Sequence, residues 1–233
     1  MRNIFKKRNP IKFIRKKIRE YFFFKDKRTL FKVNLGESVY DDAIFKNRNK
    51  AAYIEYGEAV EKIFSPPNLI DIGCANAYLL EYFHNKGMQK IAGIEGAETA
   101  FKYMPPAVKE KVLKADLSKE KNVLNNIRFY LVNCTEVGEH IPCKYEDIFL
   151  KNIQQFVGNY LILSWANTWE EWLGFDRQQH VNPRSKRYVI KKLKNLGLRY
   201  NRNITAGLIK ELRSKPNVFR HWIKNIMVFE NRG

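Results

Sequence analysis

The stretch CTEVGEHIP, residues 134–142, places Glu136, Glu139 and His140 within five positions, and a further histidine, His180, follows 40 residues on. Two carboxylates and two imidazoles make a mixed oxygen–nitrogen donor set of the kind that holds Mg2+, Mn2+, Fe2+ or Zn2+. Such an ion lowers the pKa of a weakly nucleophilic hydroxyl and fixes its oxygen for attack. His140 or His180, where not a ligand, can act as the base. The same residues have a plainer reading. Acids at a helix start favour the positive end of the dipole and satisfy its free N–H groups, and His180 can be a loop histidine bonded to backbone. The choice depends on whether the fold brings residue 180 to residues 136–140.

The elements that must do so alternate along the chain. NLIDIG (68–73), KIAGIEG (90–96), KVLKADL (111–117), IRFYLVNCTE (127–136) and NYLILSWA (159–166) read as strands. AYLLEYFHNKG, ETAFKYM and KYEDIFLKNIQQFVG read as the helices between them, ended by Gly87, by Pro105-Pro106 and by Gly158. A helical segment over 40–64 precedes the first strand and stops at Ser65-Pro66-Pro67; a basic helix (185–197) and HWIKNIMVFE (221–230), read as a last strand, close the chain. This alternation predicts an α/β fold: a Rossmann-like, doubly wound, mostly parallel seven-stranded sheet with helices on both faces. Ligands bind such a sheet outside the carboxyl ends of its strands. The loops after the fourth and fifth strands open on one edge, which puts His180 within reach of Glu136, Glu139 and His140.

The tip of the first strand carries Asp71 and Gly73, a carboxylate and a residue that lets backbone approach a ligand. Neither a G-x-G-x-x-G turn nor a Gly-Lys-Ser/Thr phosphate loop is present, which weighs against dinucleotide enzymes and NTPases. LIDIGCANAYLL resembles motif I of the class I S-adenosylmethionine-dependent methyltransferases, over a span of about residues 66–165. Ala75 and Ala77 stand at the second and third glycines of that motif, and Tyr130 stands where the fourth strand often begins with Asp. The resemblance implies S-adenosylmethionine as cofactor, with Asp71, Gly73 and Ala75 in its turn. Glu95, 24 residues after Asp71, would take the ribose hydroxyls, and Asp116 with Leu117 would lie near the adenine. A carboxylate suits a vicinal diol because it accepts two hydrogen bonds.

Glu136, Glu139, His140 and His180 are similar to the Glu-x-x-Glu-His…His centre of small-RNA terminal 2′-O-methyltransferases, and also to ubiquinone-pathway O-methyltransferases. That implies a divalent ion such as Mg2+ or Mn2+. His180-Val181-Asn182 and the helix after it resemble a segment of methyltransferases associated with glycan synthesis, which often reads Gly-x-Gly-His-Val-Asn; here Gln178 and Gln179 replace the glycine-rich lead. Asn182 would contact a substrate hydroxyl or cap the helix that begins near Ser185. Trp165, Trp169 and Trp172 stand by the mouth, where aromatic faces stack on sugars or fill the core. The expected activity is methyl transfer to a glycan hydroxyl. RNA ribose, a small-molecule or lipid hydroxyl, and a degenerate binding protein are the alternatives.

Charge separates the chain into parts. Of the net +19, residues 1–28 contribute +10 and residues 177–233 contribute +13, so the middle is weakly acidic. NPIKFIRKKIREYFFF carries an apolar stripe at Ile11, Ile14, Ile18 and Phe22 among basic residues, a pattern suited to an anionic membrane surface or to packing on the main domain. Residues 1–33 are read as this basic extension and 34–233 as the main domain, with a cofactor half over 66–165 and a substrate half over 166–233. Three cysteines and the lack of a long apolar run point to a cytoplasmic protein, and the basic extension suits a peripheral place at the inner membrane surface. Nucleic acid is the less favoured partner, since basic residues by themselves are weak evidence for it.

Overall fold

The computed structural model describes residues 42–120, 123–124, 127–167 and 180–232. The amphipathic segment of residues 9–24, together with Trp169 and Trp172, lies outside them. The chain forms the expected doubly wound sheet. Its strands are β1 (Leu69–Ile72), β2 (Ile91–Glu95), β3 (Val112–Lys114), β4 (Phe129–Cys134), β5 (Val157–Leu163), β6 (Leu198–Tyr200) and β7 (Met227–Asn231). Their order across the sheet is 3-2-1-4-5-7-6. All pairs are parallel except those of β7, which runs antiparallel to both β5 and β6.

Side chains alternate across the sheet and build a core on each face. Leu69, Leu131, Ile162 and Val228 face one layer, with Tyr56, Leu80 and Leu208. Ile70, Val132, Leu161 and Phe229 face the other, with Phe149, Ile153, Val189 and Leu193. β1 is buried along its whole length, as a central strand covered on both sides must be.

The helices follow from caps and apolar spacing. α1 (Asp42–Lys46) is short, and Asn47–Asn49 separate it from α2 (Lys50–Phe64), so the 40–64 segment is two helices and not one. The Asn49 side chain accepts from the Ala51 N–H at 3.1 Å and starts α2. Tyr53, Tyr56, Val60 and Phe64 form its buried stripe, and left-handed Ser65 ends it before the two prolines. The further helices are α3 (Tyr78–Asn85), α4 (Pro106–Lys109), α5 (Glu146–Phe156), α6 (Lys186–Asn195), α7 (Arg202–Arg213) and α8 (Arg220–Asn225). None is long and apolar enough to cross a membrane.

The structure departs from the sequence reading at further points. HWIKNIMVFE is not one strand: its first half is α8 and only Met227 onward joins the sheet. An apolar run this short fits either period, and burial of Trp222 against Tyr53 and Tyr56 selects the helix. β6 and α7 were not foreseen, β6 because three residues carry no readable period. Gly158 does not end α5 but lies within β5, where a β-carbon would sit 2.7 Å from the Phe129 carbonyl at the irregular β4–β5 register.

Candidate functional site

The turn after β1 is the first half of the site. Gly73 adopts φ 69°, and Ala75 and Ala77 adopt φ 50° and 56°. Both alanines therefore hold left-handed backbone that glycine would adopt freely, at roughly 1 kcal/mol each. The turn persists because the sheet holds it: the Gly73 N–H donates to the Ile94 carbonyl at 2.8 Å, and the Ala77 N–H to the Cys74 carbonyl at 2.8 Å. Glu95, at the tip of β2, stands beside it. Its two carboxylate oxygens accept from the Ala75 N–H at 2.7 Å and the Ala97 N–H at 2.8 Å. Burial raises the Glu95 carboxyl above its usual range, and those two N–H groups pull it partly back. Each oxygen keeps a second lone pair, so the group fits a ribose diol.

The other residues expected around the cofactor are engaged differently. Asp71 is 4% exposed, and register sets it opposite Asn133. The Asn133 amide donates to it at 2.7 Å while accepting from the Tyr56 hydroxyl at 2.7 Å. It belongs to a buried polar chain rather than standing open at the strand tip. Asp116 turns onto its own loop, accepting from the Ser118 hydroxyl at 2.5 Å and pairing with Lys119 at 2.9 Å. Burial would raise its carboxyl, but Ser118 and Lys119 outweigh that and hold it low. Leu117 packs into the core beneath the sheet.

The second half lies past β4. Glu136 follows the strand in left-handed backbone, φ 56°, and Gly138–His140 form a 3-10 turn. Glu139, His140 and His180 each offer one potential ligand atom, and these atoms lie within 4.8 Å of one another. The His140 and His180 rings meet edge to face with centroids 4.9 Å apart. His180 thus reaches the cluster, and backbone contacts explain how. The Asn182 N–H donates to the Glu139 carbonyl at 2.8 Å, Trp165 Nε1 to the Asn182 carbonyl at 2.7 Å, and the Arg184 N–H to the Ala166 carbonyl at 3.0 Å. Asn182 neither caps the helix nor faces an open site: its amide bonds Glu146 at 2.9 Å, and Ser185 is the cap of α6. Trp165 is 1% exposed and structural.

Glu136 adjoins that trio but is not among the residues whose ligand atoms converge. Its carboxylate accepts from the Ser164 hydroxyl at 2.6 Å and lies 4.0 Å from His221 Nε2, a histidine of α8 that sequence reading missed. No motif surrounds His221; only the packing of α8 on α2 brings it to the mouth. Glu139 is fully buried, and among the described residues no hydrogen bond of good geometry reaches either of its carboxylate oxygens. Burial raises this carboxyl well above its ordinary value, and the neighbouring Glu136 charge adds to the shift. A buried acid either keeps its proton or, once ionised, sits beside a cation. In its ionised form, beside the His140 and His180 imidazoles, it fits a divalent ion, with Glu139, His140 and His180 as the residues that would hold it.

Gly138 is what lets this turn sit over Trp165. A β-carbon there would meet the indole at 2.3 Å. Gly138→Ala is expected to cost about 1–3 kcal/mol by overpacking, and also to loosen the Trp165–Asn182 anchor behind His180. Thermal unfolding and divalent-ion affinity, measured on the same variant, check both effects.

No protein-family model matches the sequence, and a search of curated proteins finds no significant match. Solved structures do match. The magnesium protoporphyrin IX methyltransferase of Synechocystis PCC 6803, determined with bound S-adenosylhomocysteine, is 14% identical with a TM-score of 0.51, covering 93% of this chain and 98% of its own. The CcbJ methyltransferase of Streptomyces caelestis is 9% identical with a TM-score of 0.56, over 84% of this chain and 100% of its own. The methyltransferase domain of a bacterial Hen1 is 14% identical with a TM-score of 0.51, over 78% and 98%. At such identities the likeness concerns architecture, and the architecture is the Rossmann-like fold of the class I methyltransferases.

Proposed function

We propose that this protein is an S-adenosylmethionine-dependent O-methyltransferase acting on a sugar hydroxyl of a glycan with a divalent ion. The observation that carries the reading is the fully buried Glu139 carboxyl, whose ligand atom converges with those of His140 and His180 at the carboxyl edge of a methyltransferase fold. Glu95 and the 73–77 turn would hold the cofactor's ribose and amino-acid end, next to β4 and its cluster. A bound divalent ion would supply Lewis acidity, making an acceptor hydroxyl a better nucleophile near neutral pH. The chain's own residues then have defined tasks. Glu139, His140 and His180 would hold the ion, and the Trp165 and Asn182 contacts keep the His180 loop against the sheet. Glu136, steadied by Ser164, adds negative charge beside them. Transfer needs the acceptor oxygen in line with the sulfonium methyl group, so this positioning is the main catalytic contribution.

A glycan acceptor is favoured by the His180-Val181-Asn182 segment and by the basic chain ends, which suit anionic, membrane-linked intermediates. The test is incubation with labelled S-adenosylmethionine, with and without Mn2+ or Mg2+, against defined oligosaccharides and RNA. The expected result is ion-stimulated label in the oligosaccharide. Full activity in excess chelator would sink the ion's role, and label confined to RNA would sink the acceptor.

A further inference from the structure

We infer that Arg48 receives the carboxylate at the amino-acid end of the methyl donor, an assignment that rests on the cofactor reading above. α1 and the break after it bridge the two loops that flank the crevice between β1 and β2. On one side the Asn76 amide, within the left-handed turn, donates to the Phe45 carbonyl at 2.9 Å. On the other, the Tyr103 hydroxyl donates to the Asp42 carboxylate, which Lys102 approaches at 3.7 Å. Arg48 stands at the end of this bridge. Its Nη1 donates to the Tyr53 hydroxyl, and its guanidinium lies 5.6 Å from the centroid of the Phe45 ring.

The rest of the guanidinium is poorly used. Its Nε is buried without a hydrogen-bond partner among the described residues. The Asn76–Phe45 bond ties the helix that precedes Arg48 to the turn after β1, and the Arg48 charge accordingly lowers the Asp71 and Glu95 carboxyls against the larger effect of burial. A guanidinium offers five N–H groups in a fixed fork that matches a carboxylate. A ligand whose ribose sits at Glu95 and whose amino-acid end follows the 73–77 turn presents a carboxylate on the side that α1 closes. Tyr53 is then a positioning residue, holding one arm of the fork.

The test compares two nucleosides that differ at this end. S-Adenosylhomocysteine carries the α-amino acid; 5′-methylthioadenosine lacks it. Calorimetry on the full chain should show Arg48→Met weakening S-adenosylhomocysteine by about 10–100-fold while 5′-methylthioadenosine changes less than about twofold. Tyr53→Phe, a milder change that keeps the fold, should weaken S-adenosylhomocysteine alone, by a few fold. Equal loss for both nucleosides, or no loss for either, overturns the assignment and leaves the cofactor reading standing. Failure of the unmodified protein to bind either nucleoside overturns the cofactor reading and this assignment with it.

Discussion

Replacing Glu139 or His180 with alanine is expected to lower ion-stimulated methyl transfer by about 100- to 10,000-fold. The size follows from what each residue does. In the proposed site the two, with His140, would supply the three ligand atoms that lie within 4.8 Å of one another, and loss of one leaves an incomplete donor set. The stability effects should differ in sign from the effects on activity. Glu139 is fully buried, and among the described residues no hydrogen bond of good geometry reaches its carboxyl oxygens, so the ion-free fold bears the cost of a buried acid. Glu139→Gln should therefore leave ion-free thermal stability unchanged or raise it, while abolishing stabilisation by Mn2+ or Mg2+. An ion that binds only the folded state stabilises by mass action, by roughly 2.7 kcal/mol at a hundredfold excess over its Kd. Thermal melts with and without ion, run beside initial rates, measure both. Unfolding at lower temperature for ion-free Glu139→Gln, with stimulation retained, would mean the carboxylate is structural.

Asp71→Asn is expected to stabilise the protein at pH 8 and to have little effect at pH 4. Burial raises the Asp71 carboxyl from 3.8 to about 7, with the Asn133 amide opposing that rise. Because the folded-state value lies above the unfolded one, the folded state holds its proton more tightly. Below pH 3.8 both states are protonated and nothing is lost. As pH rises through this window, the unfolded chain ionises first and stability falls, until the loss is complete above about 7. The full loss is about 4 kcal/mol at 1.36 kcal/mol per unit. Asparagine removes the ionisation and keeps an oxygen that can accept from Asn133. The gain is bounded by that figure and appears as a melting temperature several degrees higher at pH 8. Equal shifts at both pH values would show that the carboxyl's ionisation is not responsible.

The sheet was legible because strands buried on both faces are short, apolar and spaced by helices. LIDI, IAGIE and FYLVNC have few alternatives once Pro, Gly and Asn mark their ends. Where length fell below a period, as in Leu198–Tyr200, or where an apolar run fitted both periods, as in residues 221–230, local pattern could not decide. The choice of helix for Arg220–Asn225 came from Trp222 packing on Tyr53 and Tyr56, residues more than 160 positions earlier in the chain.

The candidate site divides in the same way. Glu136, Glu139 and His140 were visible because they are neighbours in sequence, and the parallel topology brought His180 into range. Sequence by itself determined which residue types stand at the carboxyl edge of the sheet. Tertiary structure alone decided their states: that Glu139 is fully buried, that Glu136 turns to Ser164 and His221, and that Asp71 is enclosed by Asn133 and Tyr56. Burial and long-range pairing depend on contacts between residues far apart along the chain. A carboxylate's charge, partner and availability to a ligand are set by those contacts and not by its neighbours in sequence.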